Sequence, residues 1–153
     1  MRRIGIIAAL SLLLVAVVAV PALAARAHLI GAVQCTDIGT QLQCTGKVAG
    51  LGEEEAFVTI NATGLATVEC TNPGGNVAPG QTTEVTATGV SGPIEPHQGQ
   101  ITFTTTTETP TVGPEACPNP QWTPTVTDVE FTSATITVVQ GGVTVLGPEE
   151  ITL

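Results

Sequence analysis

The most specific chemistry on offer comes from two imidazoles. Ala25-Arg26-Ala27 has the small-x-small form that a signal peptidase reads, and a cut after Ala27 makes His28 the first residue of the remaining chain. A free α-amine and an imidazole on one residue chelate a copper ion, and a second imidazole completes a three-nitrogen set. Imidazole nitrogen in a square-planar arrangement suits Cu(II). His97, in Pro96-His97-Gln98-Gly99, is the other imidazole, since the chain holds 2 histidines. The competing reading makes His28 an ordinary residue of a first strand and His97 an exposed loop residue. On that reading, which is the expected one, no cofactor is bound; copper held by His28 and His97 is the alternative.

Other reactive groups are sparse. Beyond the leader the serines are Ser91 and Ser133, and the aspartates are Asp37 and Asp128. They allow a Ser/His/Asp triad by count, but no nucleophile-elbow motif surrounds either serine. Ser133 sits in a Thr/Ala run that reads as a solvent-facing strand position. Glu53-Glu54-Glu55 and Glu149-Glu150 are adjacent carboxylates, and neighbours on a strand point to opposite faces, which does not suit paired acid–base work. They read as solvated acidic turns that discourage edge pairing. A calcium loop of the D-x-D-x-D kind is missing. No catalytic residues are therefore assigned.

The four cysteines are Cys35, Cys44, Cys70 and Cys117, with spacings of 9, 26 and 47. Lacking a C-x2-C pair, they do not read as a zinc site. An even count behind a leader reads as two disulfides, with three possible connectivities. Asp37-Ile38-Gly39-Thr40 can turn a hairpin that brings Cys35 to Cys44, leaving Cys70 to pair with Cys117. Cys70-Thr71-Asn72-Pro73 and Cys117-Pro118-Asn119-Pro120 echo each other as C-x-N-P, two similar exits in which Asn caps a turn and Pro stops a strand.

The leader has all three parts of a signal peptide. Arg2 and Arg3 give the positive start, Ile4 to Val20 is apolar, and Pro21 precedes the small residues. Residues 1–27 are assigned to it, with cleavage after Ala24 or Ala27. The apolar run falls short of the roughly 20 residues of a spanning helix. Cleavage leaves Arg26 and Lys47 at most against 13 acidic residues, a net charge near −11. Such a surface repels phosphate backbones and anionic membranes, so neither nucleic acid nor membrane is expected as a partner.

The elements that would position these groups read as strands throughout residues 28–153, a single disulfide-bonded β domain. β-Branched residues dominate, and they favour a pleated backbone. Alternation is visible at Phe57–Ala62, Ile101–Thr104, Ala134–Val138 and Val143–Val145. Gln140-Gly141-Gly142 marks a tight hairpin. Turn clusters at Asn72–Gln81, Ser91–Gly99 and Thr109–Pro124 punctuate the rest. About eight or nine short strands with regular turn signals predict an all-β, antiparallel β-sandwich, of immunoglobulin-like Greek-key type, with a jelly roll or irregular barrel as runner-up. The Cys–Trp–Cys order of an antibody domain is absent, because Trp122 follows all four cysteines. Trp122 in its Pro-rich loop can contact a partner or stack on a sugar; covering the core edge beside Cys117 is the expected role. Asn61-Ala62-Thr63 has the N-x-T form but falls inside a strand.

Asn72–Gln81 (NPGGNVAPGQ), Cys117–Trp122 (CPNPQW) and the closing run TSATITVVQGG resemble segments of short secreted bacterial proteins, chiefly actinobacterial, of unassigned function. The resemblance implies export and a β fold, and it supplies no activity. An exported β-sandwich beginning with His also looks similar to lytic polysaccharide monooxygenases and periplasmic copper carriers. This chain departs from them in having no Tyr and 1 Trp. The reading is therefore a secreted or cell-surface β-sandwich with a structural or binding role toward a protein or glycan surface.

Overall fold

A computed structural model of the chain describes residues 26–153, so all of the expected signal peptide (1–27) except Arg26 and Ala27 lies outside the described residues. Nine strands form: β1 (His28–Leu29), β2 (Gln34–Asp37), β3 (Leu42–Ala49), β4 (Ala56–Thr71), β5 (Val77–Pro79), β6 (Thr83–Val90), β7 (Gln100–Thr106), β8 (Thr123–Gln140) and β9 (Val143–Ile151). One 3-10 turn, Pro114–Ala116, lies between β7 and β8. Among the described residues no helix is long and apolar enough to cross a membrane.

The strands make two sheets, and every pairing is antiparallel. In the first, β1 and β2 lie end to end along one side of β3, and β7 pairs with the other side. In the second, β5 and β6 lie end to end along one side of β4, β8 pairs with the other side, and β9 pairs with β8. With each end-to-end pair counted as one interrupted strand, three strands face four. The chain changes sheet between β3 and β4, between β6 and β7, and between β7 and β8. That connectivity is the immunoglobulin-like Greek key expected from the pattern.

Alternation explains the packing. Along β4 even-numbered residues from Ala56 to Cys70 point inward, and the odd-numbered ones point out. Val58, Ile60 and Ala62 of β4 meet Ile136 and Val138 of β8, and across the sandwich Val48, Ile101 and Phe103. A second cluster at the far end gathers Ala66, Val68, Val85 and Val129 around Cys70 and Cys117. Each fully buried side chain of this size contributes about 1.5–3 kcal/mol.

Disulfides and a hydrogen-bonded seam reinforce the sandwich. The cysteines pair as Cys35–Cys44 and Cys70–Cys117. The first joins facing residues of β2 and β3, and the second ties β4 to the segment after the 3-10 turn. Neither spans the two sheets. The sheets are linked instead by hydrogen bonds, from the Val129 N–H to the Gly39 carbonyl at 3.0 Å and where β7 ends. Thr107 is 1% exposed; its N–H donates to the Leu42 carbonyl and its hydroxyl accepts from the Leu42 N–H, both at 2.9 Å. The next residue, Glu108, donates to the Thr88 carbonyl of β6 at 2.9 Å. At that seam Gly89 lies against the Thr106–Thr107 backbone, so a Cβ there collides with main chain that has nowhere to move.

The expected hairpins are present. Ile38 N–H donates to the Gln41 carbonyl between β2 and β3, and Gly141 and Gly142, at φ 58 and 76, turn β8 into β9. Asn72 and Asn119 cap the two echoing exits: Asn72 Oδ1 accepts from Gly74 and Asn76, and Asn119 Oδ1 accepts from Gln121, all at 2.9 Å. The strands are not all short. β4 runs 16 residues and β8 18, because register shifts at Thr63/Gly64 and Thr67/Val68 absorb irregularities without ending the ladder.

Replacing the Cys70–Cys117 pair by alanines is expected to cost about 4 kcal/mol, and the Cys35–Cys44 pair roughly 2.6 kcal/mol, because the first closes the longer loop. Urea unfolding of the two double variants checks that order. Gly89→Ala is expected to lower stability by about 1–3 kcal/mol through forced backbone displacement, read from the same unfolding curves.

Candidate functional site

The two histidines occupy one transverse row of the first sheet. His28 pairs with Ala49, Ala49 with Gln100, and Gln100 with His97 through an isolated bridge. The bridge is a tight turn: His97 N–H donates to the Gln100 carbonyl at 2.8 Å, and Gln98 and Gly99 both have positive φ. Directly paired residues share a face, so both imidazoles stand on the outer side, opposite the buried Val48 and Ile101. Ala49 and Gln100 separate them. Three ladder steps of roughly 5 Å each part their Cα atoms, whereas two imidazoles sharing one ion must each approach it to about 2 Å. His28 is also engaged already, its Nδ1 donating to the Arg26 carbonyl at 3.0 Å. The pairing therefore does not bring the imidazoles together, and among the described residues no three His, Cys, Asp or Glu side chains converge on a metal-sized site.

Other reactive side chains are used structurally. Ser91 Oγ accepts from the Val58 N–H at 2.9 Å. Asp37 Oδ1 accepts from the Gly39 N–H at 2.8 Å and shapes the β2–β3 turn. Asp128 faces solvent opposite Thr67. The Glu53–Glu55 bend is clamped from beneath by Gln140, 9% exposed. Its amide accepts from the Gly52 N–H at 2.8 Å and donates to the carbonyls of Gly52 at 3.2 Å and Glu54 at 2.5 Å. Glu149 and Glu150 stand exposed on β9, the outermost strand. Trp122 is half-buried and packs on the second core cluster beside Cys117, the covering position expected for it.

What the strands do assemble is a block of neutral polar side chains on the outer face of the larger sheet. Pairing aligns Thr86, Thr63 and Ser133 in one row and Thr88, Asn61 and Thr135 in the next. Thr59 and Thr137 continue it, with Val90 at the end of their row. Neighbours lie about 4.8 Å apart across strands and roughly 7 Å apart along them. The Thr88 hydroxyl donates to Asn61 Oδ1 at 2.8 Å, so the amide is held within the block. The register shift at Gly64 ends it, and Glu84 and Glu130 flank Leu65 just beyond, with Glu150 beside Thr135. Ionised groups stand at the margins only, Glu150 closing the Thr88–Asn61–Thr135 row. The alternation places each of these residues on an outer face, but only the register between distant strands makes them neighbours.

The fold is an antiparallel β-sandwich of immunoglobulin-like topology, with these neutral polar rows on the outer face of its larger sheet. No protein-family model, curated protein or solved structure matches this chain.

Gln140→Leu leaves the N–H and carbonyl of Gly52 and the Glu54 carbonyl without their side-chain partner. A loss of about 1–3 kcal/mol is expected, measured by urea unfolding, with the far-ultraviolet dichroism of the folded protein unchanged.

Proposed function

We propose that this protein is an exported, non-catalytic β-sandwich with a binding role, and that its ligand is a neutral glycan surface met by the outer face of the larger sheet. The observation that carries the reading is the Thr/Ser/Asn block around Thr63 and Thr135. Hydroxyl and amide groups both donate and accept, which matches the hydroxyls of a sugar polymer. Each such bond contributes about 0.5–1.5 kcal/mol net, so binding depends on many contacts along an ordered polymer. The acidic margin, in a chain of formal net charge −9, disfavours polyanions. Export is supported by the two disulfides, which persist in oxidising compartments, together with the leader pattern.

Co-sedimentation with insoluble neutral polysaccharide, cellulose or chitin, tests the reading. The protein is expected to be depleted from the supernatant, and the double variant Thr63→Lys/Thr135→Lys to bind at least about tenfold more weakly, the equivalent of 1.4 kcal/mol. Equal retention of both proteins, or of neither, sinks the proposal.

A further inference from the structure

Both candidate cuts in the leader present small residues at the positions a signal peptidase reads, so that chemistry does not choose between them. The folded domain does. Ala27 is 9% exposed and belongs to the main core cluster. It leads directly into β1, where His28 and Leu29 pair with Ala49 and Val48. One residue earlier, the Arg26 carbonyl receives the His28 Nδ1 hydrogen bond at 3.0 Å. Arg26 and Ala27 also form one wall of a groove whose other wall is Thr144–Gly147 and Glu149 of β9. The domain thus begins by Arg26. A cut after Ala27 would remove a core side chain and the acceptor of His28, and would put an ammonium at the first residue of a paired strand.

We propose that the leader is removed at the Ala24–Ala25 bond, and that Ala25, Arg26 and Ala27 belong to the mature domain. Water adds across that bond, leaving a carboxylate on Ala24 and an ammonium on Ala25. The inference rests on the reading of the chain as exported. Its consequence is specific: His28 keeps an amide nitrogen in place of a free amine, so the three-nitrogen copper arrangement does not form.

The test is the intact mass of the protein released by a secreting bacterial host that expresses the full chain with its own leader. A chain beginning at Ala25 is expected. One beginning at His28 overturns the inference while leaving export standing; one that retains Met1 overturns both. The variant Ala25→Asp adds an independent measurement. It puts a charge at the third position before the second cut but only at the first position after the proposed one. Unchanged processing at residue 25 is expected, and loss of processing overturns the assignment.

Discussion

Strand β4 organises the molecule. It hydrogen-bonds to β5 and β6 on one side and to β8 on the other, over the whole span from Ala56 to Thr71. Its strict inward–outward alternation therefore sets the facing of three neighbours at once. A slip of one residue would turn Val58, Ile60, Ala62 and Val68 to solvent and draw Phe57, Asn61 and Glu69 inside. The buried apolar side chains make that slip costly, and the same alternation leaves the outer rows of threonine in register.

The two ends of the sandwich are held by different means. Near Phe103 the core is broad and includes residues of both sheets. Near Cys70 the cluster is small, built largely from Ala and Val, and the Cys70–Cys117 bridge lies within it. Small apolar clusters supply little stabilisation for the entropy lost in ordering them, which is where a covalent link has its greatest effect. That bridge and Trp122 fasten the long segment between β7 and β8, which otherwise has only a 3-10 turn for regular structure. Between the sheets, Thr107 and Glu108, together with the Val129 N–H on the Gly39 carbonyl, provide the polar join that no disulfide supplies.

Much of this was legible in the residues. β-Branched alternation gave the strands, Asp37–Thr40 and Gln140–Gly142 gave hairpins, and loop length with turn chemistry gave the disulfide pairing. Strand length was not legible. Within β4 and β9, alternation was visible only over Phe57–Ala62 and Val143–Val145, yet the ladder carries β4 on to Thr71 and β9 to Ile151 through register shifts or irregular pairing. A local pattern reports backbone preference, whereas continuation depends on a partner strand far away in the chain. The same limit applies to the outer rows. Each threonine announces its face, but Thr86, Thr63 and Ser133 become neighbours only once β6, β4 and β8 have aligned. His28 and His97 show the converse: residue type suggested a shared site, and the ladder sets Ala49 and Gln100 between them.

The pairing of β4 with β8 also governs timing. Val58 lies opposite Val138 and Ile60 opposite Ile136, contacts between distant parts of the chain. Ordering so long an intervening segment before those contacts form makes such topologies slow to fold. The core therefore cannot close until β8 has joined β4, however early β3 and β4 are made.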